Sequence, residues 1–325
     1  MRSFYRRIFL IFAFPVIVFY FYGCAGLAAS AQEYYSIGMA YYELGKYDEA
    51  EKWLNRAKQA DRTMTASLYN LGRIAFETKK YADAAKHFED ILKIDPNNVL
   101  ALKAAAYSRI KTGDLRIAEK HYGRLLELVP ESVDDGYNHA LVLYAMERYS
   151  EAEETLKRFP FTFEENSETL LLYARSQKAQ EKEEAMDSYA KWLSSNTDPK
   201  VRYEYAQILE FHEFYARAIE EYRKVLGETS AGSLTDPKRG DLRFALARVL
   251  LVADGGSSEG ITEMETAVTE GFDNIEAVEE LQRKTTISSA NRTSLRNIIN
   301  NMQRIAEAGG TAAQEQQMEQ AELQK

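Results

Sequence analysis

The chain has 325 residues, 45% hydrophobic and 28% charged, with a formal net charge of −9 and one cysteine. That acidity argues against a phosphate-backbone partner, which needs clustered Lys and Arg, and a lone thiol excludes a framework of internal disulfides. The 6 prolines and 17 glycines are too few for a turn-rich β fold, and the length allows two domains or one repeat array.

The chain begins with a short basic stretch holding Arg2, Arg6 and Arg7. An apolar run follows from Ile8 to Tyr22, broken by Pro15, and then small residues. Basic, apolar and small segments in this order are the layout of an export signal. Gly23-Cys24, directly after the apolar run, resembles the lipobox of bacterial lipoproteins, which implies a lipid on the Cys24 sulfur and cleavage that makes Cys24 the first mature residue. A thiolate is the natural nucleophile for taking up such a group. Phe21 and Tyr22 are bulkier than the residues that family uses. Ala29-Ser30-Ala31 is a competing site at which an ordinary signal peptidase would cut before Gln32, and an uncleaved anchor is the third reading. All three place the body in a bacterial cell envelope, outside the cytoplasm, and the lipidated and uncleaved readings also keep it on the membrane.

From residue 32 one phrase returns. LGKYDEAEKWLNRA (44–57) is followed by TKKYADAAKHFEDI (78–91), TGDLRIAEKHYGRL (112–125) and MERYSEAEETLKRF (146–159). Ala50, Ala84, Ala118 and Ala152 stand 34 apart, and Ala185 and Ala218 continue at 33. Four residues after each comes Leu54, Phe88, Tyr122, Leu156, Tyr189 or Tyr222; three further on comes Ala57, Ile91, Leu125, Phe159, Trp192 or Val225. These spacings keep the set on one helical stripe. Ile37-Gly38 and Leu71-Gly72, with Tyr41, mark the first helix of each pair. The fifth repeat places Tyr173 where a small residue is expected. The pattern resembles the tetratricopeptide repeat. The resemblance implies an all-α, right-handed solenoid of about six to seven helix-turn-helix repeats with a C-terminal helical cap.

The expected organisation is therefore an export or anchor segment at 1–31, six repeats at 32–227 and an irregular seventh helix pair at 228–272. Two capping helices at 273–308 and a polar tail at 309–325, disordered or a frayed helix, complete it. A cap is required because the last repeat otherwise exposes its packing face.

Signals of chemistry are sparse. His87 and His121 share one register position with Trp53, which repetition explains better than catalysis; His139 and His212 stand alone. No H-E-x-x-H, paired cysteines or Ser/His/Asp arrangement exists, so no metal, cofactor or catalytic residue is assigned. DGGSSEG (254–260) lacks the lysine of a phosphate loop and reads as a turn, and the three-residue glycosylation pattern at Asn291 is discounted.

The resemblance implies that first helices line a concave, peptide-binding groove. By register its lining includes Tyr35, Met39, Tyr42, Tyr69, Arg73, Phe76, Lys103, Tyr107, Lys111, Tyr137, Asn138, Tyr144 and Tyr203. Tyrosines give broad, stiff contact area with a hydroxyl, although stripes of aromatic residues are often core. Tyr69, Arg73, Phe76, Lys103, Tyr107 and Lys111 are expected to form one patch suited to an acidic segment with an apolar anchor. The carboxylate clamp of some relatives is not reproduced, since Tyr35 and Met39 replace its first pair and Asp134 stands where a shifted clamp needs a cation. The expected function is a non-enzymatic envelope scaffold or adaptor for a protein or peptide; the alternative is a surface adhesin or structural spacer without a peptide ligand.

Overall fold

The computed structural model describes residues 30–159, 167–228 and 237–322, with side chains to residue 308. The export segment and Cys24 lie outside the described residues. The described residues form sixteen helices and no strand, and none of these helices is long and apolar enough to cross a membrane.

The chain divides into two compact units, Met1–Met146 and Glu147–Lys325. The amino-terminal unit contains α1 (Ala31–Glu43), α2 (Tyr47–Ala60), α3 (Thr65–Glu77), α4 (Tyr81–Ile94), α5 (Val99–Thr112), α6 (Leu115–Leu128) and α7 (Val133–Ala145). In it α1, α3, α5 and α7 are first helices of successive pairs. The carboxyl-terminal unit contains α8 (Tyr149–Lys157), α9 (Ser167–Ala179), α10 (Ala185–Ser195), α11 (Pro199–Phe211), α12 (Tyr215–Glu228), α13 (Arg239–Ala253), α14 (Ser258–Thr269), α15 (Ile275–Arg283) and α16 (Ser289–Glu322). Here α9, α11 and α13 are the first helices.

Several first helices begin on a side-chain cap. Ser30 forms a capping box with Glu33 before α1, Asn98 Oδ1 accepts from the Ala101 amide before α5, and Asp198 accepts from Lys200 and Val201 ahead of Pro199. The next turn is made the same way in each of the first six repeats. Gly45, Lys79, Gly113, Glu147, Glu181 and Glu213 all have left-handed backbones, with φ between 57° and 80°. Four of these six are not glycine, so the turn geometry is imposed against side-chain preference.

Packing follows the repeated stripe. The column Ala50, Ala84, Ala118, Ala152, Ala185 and Ala218 is fully buried, as are the large residues four positions on. The opposing small column is Gly38, Gly72, Ala106, Ala140, Ala174 and Ala206, also buried. A methyl group added at Gly72 would stand 2.6 Å from the Phe88 ring, and one at Gly38 would stand 2.8 Å from Leu54 Cγ. Closeness of the two helices is what these columns supply. In the fifth repeat the small residue is Ala174, fully buried. Tyr173 beside it is only half-buried, so the expectation of a defective fifth contact is corrected.

Three buried clusters follow one another in the amino-terminal unit, centred on Leu54, Phe88 and Tyr122. The carboxyl-terminal unit has one cluster through α9–α13 and a second in which α13, α14, α15 and α16 enclose Phe244, Met264, Leu281 and Leu295. Gly255 is pressed between the last elements: a methyl group there would meet the Thr286 carbonyl oxygen at 1.9 Å. Asn291 donates from its amide to the Gly255 and Ser257 carbonyls at 3.0 Å each, which makes it a structural tie. The tail from residue 309, expected to be disordered or a frayed helix, is helical as far as Glu322 within α16, since Ala, Gln and Glu favour helix over two internal glycines.

Candidate functional site

The first-helix face of the amino-terminal unit brings part of the expected patch together. Tyr69, Arg73 and Phe76 project from α3 at i, i+4 and i+7 spacing, and Tyr107 reaches them from α5. With Glu77, Phe88 and Ala104 they line an open pocket of about 170 Å³. Phe76 is the hinge of the aromatic set, 5.4 Å from the Tyr107 ring and 5.1 Å from the Tyr81 ring. Tyr69 sits 5.5 Å from Phe88, whose ring floors the pocket. Tyr107 is 45% exposed, so its ring is available for contact.

Neutral oxygens hold the pocket's cation. Arg73 donates to the Tyr42 hydroxyl at 2.9 Å and to Asn70 Oδ1 at 3.2 Å, with its guanidinium carbon 4.7 Å from the Tyr42 ring centroid. Asn70 in turn donates to the Tyr35 hydroxyl at 3.2 Å. A guanidinium held by neutral groups keeps its charge for an incoming anion. Lys111 Nζ lies 5.2 Å from the Tyr107 ring centroid, a cation–π arrangement at the pocket's edge. Tyr35, Tyr69, Asn70 and Leu100 contribute to a neighbouring hollow of about 270 Å³ along the same face.

Lys103 departs from expectation. Its Nζ lies 3.0 Å from Asp135 Oδ1 on α7, and Asp135 is buried. Oδ1 lacks a well-directed hydrogen bond, so this is chiefly a charge contact, while the Ser132 hydroxyl donates to Oδ2 at 2.7 Å. Lys103 therefore neutralises a buried carboxylate and does not line the pocket. Tyr137 and Asn138, half-buried on α7, and Tyr144 are likewise outside its lining. Tyr203 belongs to the other unit, where its ring packs 5.8 Å from Tyr222. Sequence reasoning missed Glu77, Phe88 and Ala104. Phe88 was read only as core, and the small Ala104 is what opens the floor between α3 and α5.

The histidines have structural surroundings. His121 Nε2 lies 3.6 Å from Glu89, which also takes a bidentate fork from Arg109 at 2.7 Å per bond. Its side chain is 17% exposed, so His121 packs between helices and is not on an outer surface. Burial lowers its pKa against the opposing pull of Glu89.

Residues 28–97 match the tetratricopeptide repeat family model, and residues 111–191 match the model described as anaphase-promoting complex, cyclosome, subunit 3. No curated protein matches the chain. Among solved structures, a tetratricopeptide repeat protein from Parabacteroides merdae ATCC 43184 is 20% identical, covering 77% of this chain and 96% of that one, with a TM-score of 0.49. The MamA protein is 17% identical over 50% of this chain and 90% of its own, with a TM-score of 0.46. The first repeat domain of Spaghetti (RPAP3) bound to an HSP90 peptide is 24% identical over 36% of this chain and 94% of that one, with a TM-score of 0.34. The helix pairs, their buried alanine column and the family match over 28–97 together give this chain the all-α fold of a tetratricopeptide-repeat protein.

Proposed function

We propose that the protein is a non-enzymatic scaffold that holds an acidic segment of a partner protein on the first-helix face of its amino-terminal unit. The carrying observation is the open aromatic pocket of Tyr69, Phe76 and Tyr107 beside Arg73, whose hydrogen bonds among the described residues go to neutral oxygens. Aromatic faces supply burial and the cations supply steering, the combination found at interface anchors. The lining offers contact area and charge without a nucleophile paired to a base, which suits holding a chain better than cleaving one. An exported body tethered through Cys24 completes the reading and makes the partner another envelope protein.

The test is a photo-crosslinking residue at position 107 in cells, followed by identification of captured proteins. Charge reversal of Arg73 and Lys111 to Glu should abolish capture and flatten the salt dependence of association, while Tyr107→Ala should mainly speed dissociation. Capture of the same partners at the same yield by the reversed variant would overturn the site. For the tether, Cys24→Ser should block lipid labelling and release the protein from membranes; a mature terminus at Gln32 would sink that part alone.

A further inference from the structure

The carboxyl-terminal unit has a second, larger pocket, and its chemistry differs from the first. It encloses about 480 Å³ between the C-terminal ends of α9, α11 and α13, with Lys178, Gln207, Phe211, Tyr215, Arg248 and Lys284 around it. Lys284, from the turn after α15, closes one side. Phe211 is 55% exposed, an unusual state for a phenylalanine at the rim of a cavity.

The cations of this pocket are not equivalent. Arg248 is spent: its Nε and Nη2 donate to both oxygens of Glu210 at 2.7 and 2.8 Å, and the Tyr222 hydroxyl donates to the same carboxylate at 2.9 Å. Lys178 is not spent. Its hydrogen-bond acceptor is the neutral Gln207 amide oxygen at 2.7 Å. The nearby carboxylate of Glu204 is occupied by a fork from Arg175 at 2.9 Å per bond and by the Tyr189 hydroxyl at 3.0 Å. A half-buried ammonium whose acceptor among the described residues is an amide is a costly arrangement, which a carboxylate in the pocket would relieve. Burial does push the Lys178 pKa down, with Glu204 opposing the shift and Arg175 adding to it. Lys284 is exposed and adds charge on the open side, whereas Glu181 on the rim repels a misplaced anion.

We propose that this pocket is a second ligand site, taking a side-chain carboxylate of an acidic peptide segment against Lys178 and Lys284 while a neighbouring apolar side chain packs on Phe211. An internal side chain is favoured over a chain terminus because three successive first helices border the pocket, so a strand of peptide passes along it. The site does not rest on the pocket of the amino-terminal unit, and either can fail alone.

The experiment pans a random library of N-acetylated, C-terminally amidated 12-residue peptides on the full chain, then measures the enriched peptides by fluorescence anisotropy. Expected is a class containing Glu or Asp beside a large apolar residue. This class should lose at least tenfold in affinity on Lys178→Met, a similar amount on Lys284→Glu, and as much when its own acid becomes the amide. It should bind Arg73→Glu/Lys111→Glu unchanged, which separates it from peptides held by the other unit. Lys284→Glu alters an exposed side chain and so tests the charge even if Lys178→Met disturbs packing. The proposal is overturned if no such class appears, if its peptides bind Lys178→Met and Lys284→Glu as tightly as the parent, or if Arg73→Glu/Lys111→Glu removes it.

Discussion

In the amino-terminal unit, the first helices α1 and α3 are joined by Tyr35, Tyr42, Asn70 and Arg73 through neutral oxygens, while α5 and α7 meet through the Lys103–Asp135 ion pair. In the carboxyl-terminal unit the corresponding seam is stitched by ion pairs, with Arg175 forked on Glu204 and Arg248 forked on Glu210. Beneath both seams lies the same scheme of a buried small-residue column on the first helices facing large residues on the second helices. The difference teaches that the repeat's period governs the packed faces only. Side chains on the seam are free to vary, and there the two units differ in how their cations are partnered.

The strongest challenge to this shared core is truncation in each unit. Phe88→Ala in the first and Leu246→Ala in the second are both buried losses, expected to cost ~3–5 and ~2–5 kcal/mol respectively. Urea titration monitored by hydrogen exchange should show loosening confined to the unit carrying the change, because a repeat array has mainly nearest-neighbour contacts. Equal loosening of both units would show that they fold as one.

Overpacking asks whether the alanine column is equally tight. Ala118→Leu in the first unit and Ala218→Leu in the second should each lower stability by roughly 1–3 kcal/mol. His121→Ala should cost less than Ala118→Leu, although more than a change on an open surface, since His121 is enclosed by Glu89 and Arg109. Chemical denaturation of the three variants decides the order, and a His121 variant as costly as Ala118→Leu would break the assigned register.

A pH titration sharpens the contrast in the second unit. Glu153 is buried, which by itself would raise its pKa, but hydrogen bonds from Lys182, Lys157 and Gln180 prevail and bring it down to about 2. A lowered folded value means that the carboxylate stabilises the fold above the ordinary carboxylate range, and that this contribution is lost as pH falls toward 2. The stability gap between the parent and Glu153→Gln should therefore be full at pH 7 and shrink on acidification. A gap independent of pH would show that the carboxylate's charge contributes nothing.

The smallest effect is expected at the turns. Lys79→Gly and Glu181→Gly remove a side chain from a left-handed backbone, a conformation that costs a non-glycine residue roughly 1–2 kcal/mol. Glycine's extra freedom when unfolded returns about 0.5–1 kcal/mol. A rise in melting temperature corresponding to at most ~1 kcal/mol should appear in both units. Destabilisation by either change would mean that the side chain at that turn makes a contact worth more than the strain.

The sequence by itself determined the helix pairs, their first three 34-residue spacings and the residues that meet inside each pair, because those contacts repeat with the period of a single helix and its partner. Ala50 through Ala218 and the large residues after them were legible for that reason. Tertiary structure decided the remainder. The left-handed turns at Lys79, Glu147, Glu181 and Glu213 carry no glycine signal, so only the approach of the packed helices imposes them. Phe88 was legible as core, but its second role as a pocket floor depends on how α3 and α5 part around Ala104. Lys103 was legible as a cation, yet its charge is taken up by Asp135, 32 positions away. Lys178 was not noticed at all, because its state depends on Arg175 having already claimed Glu204. A charge's availability is set by which neighbour neutralises it, and that neighbour is brought in by the next helix.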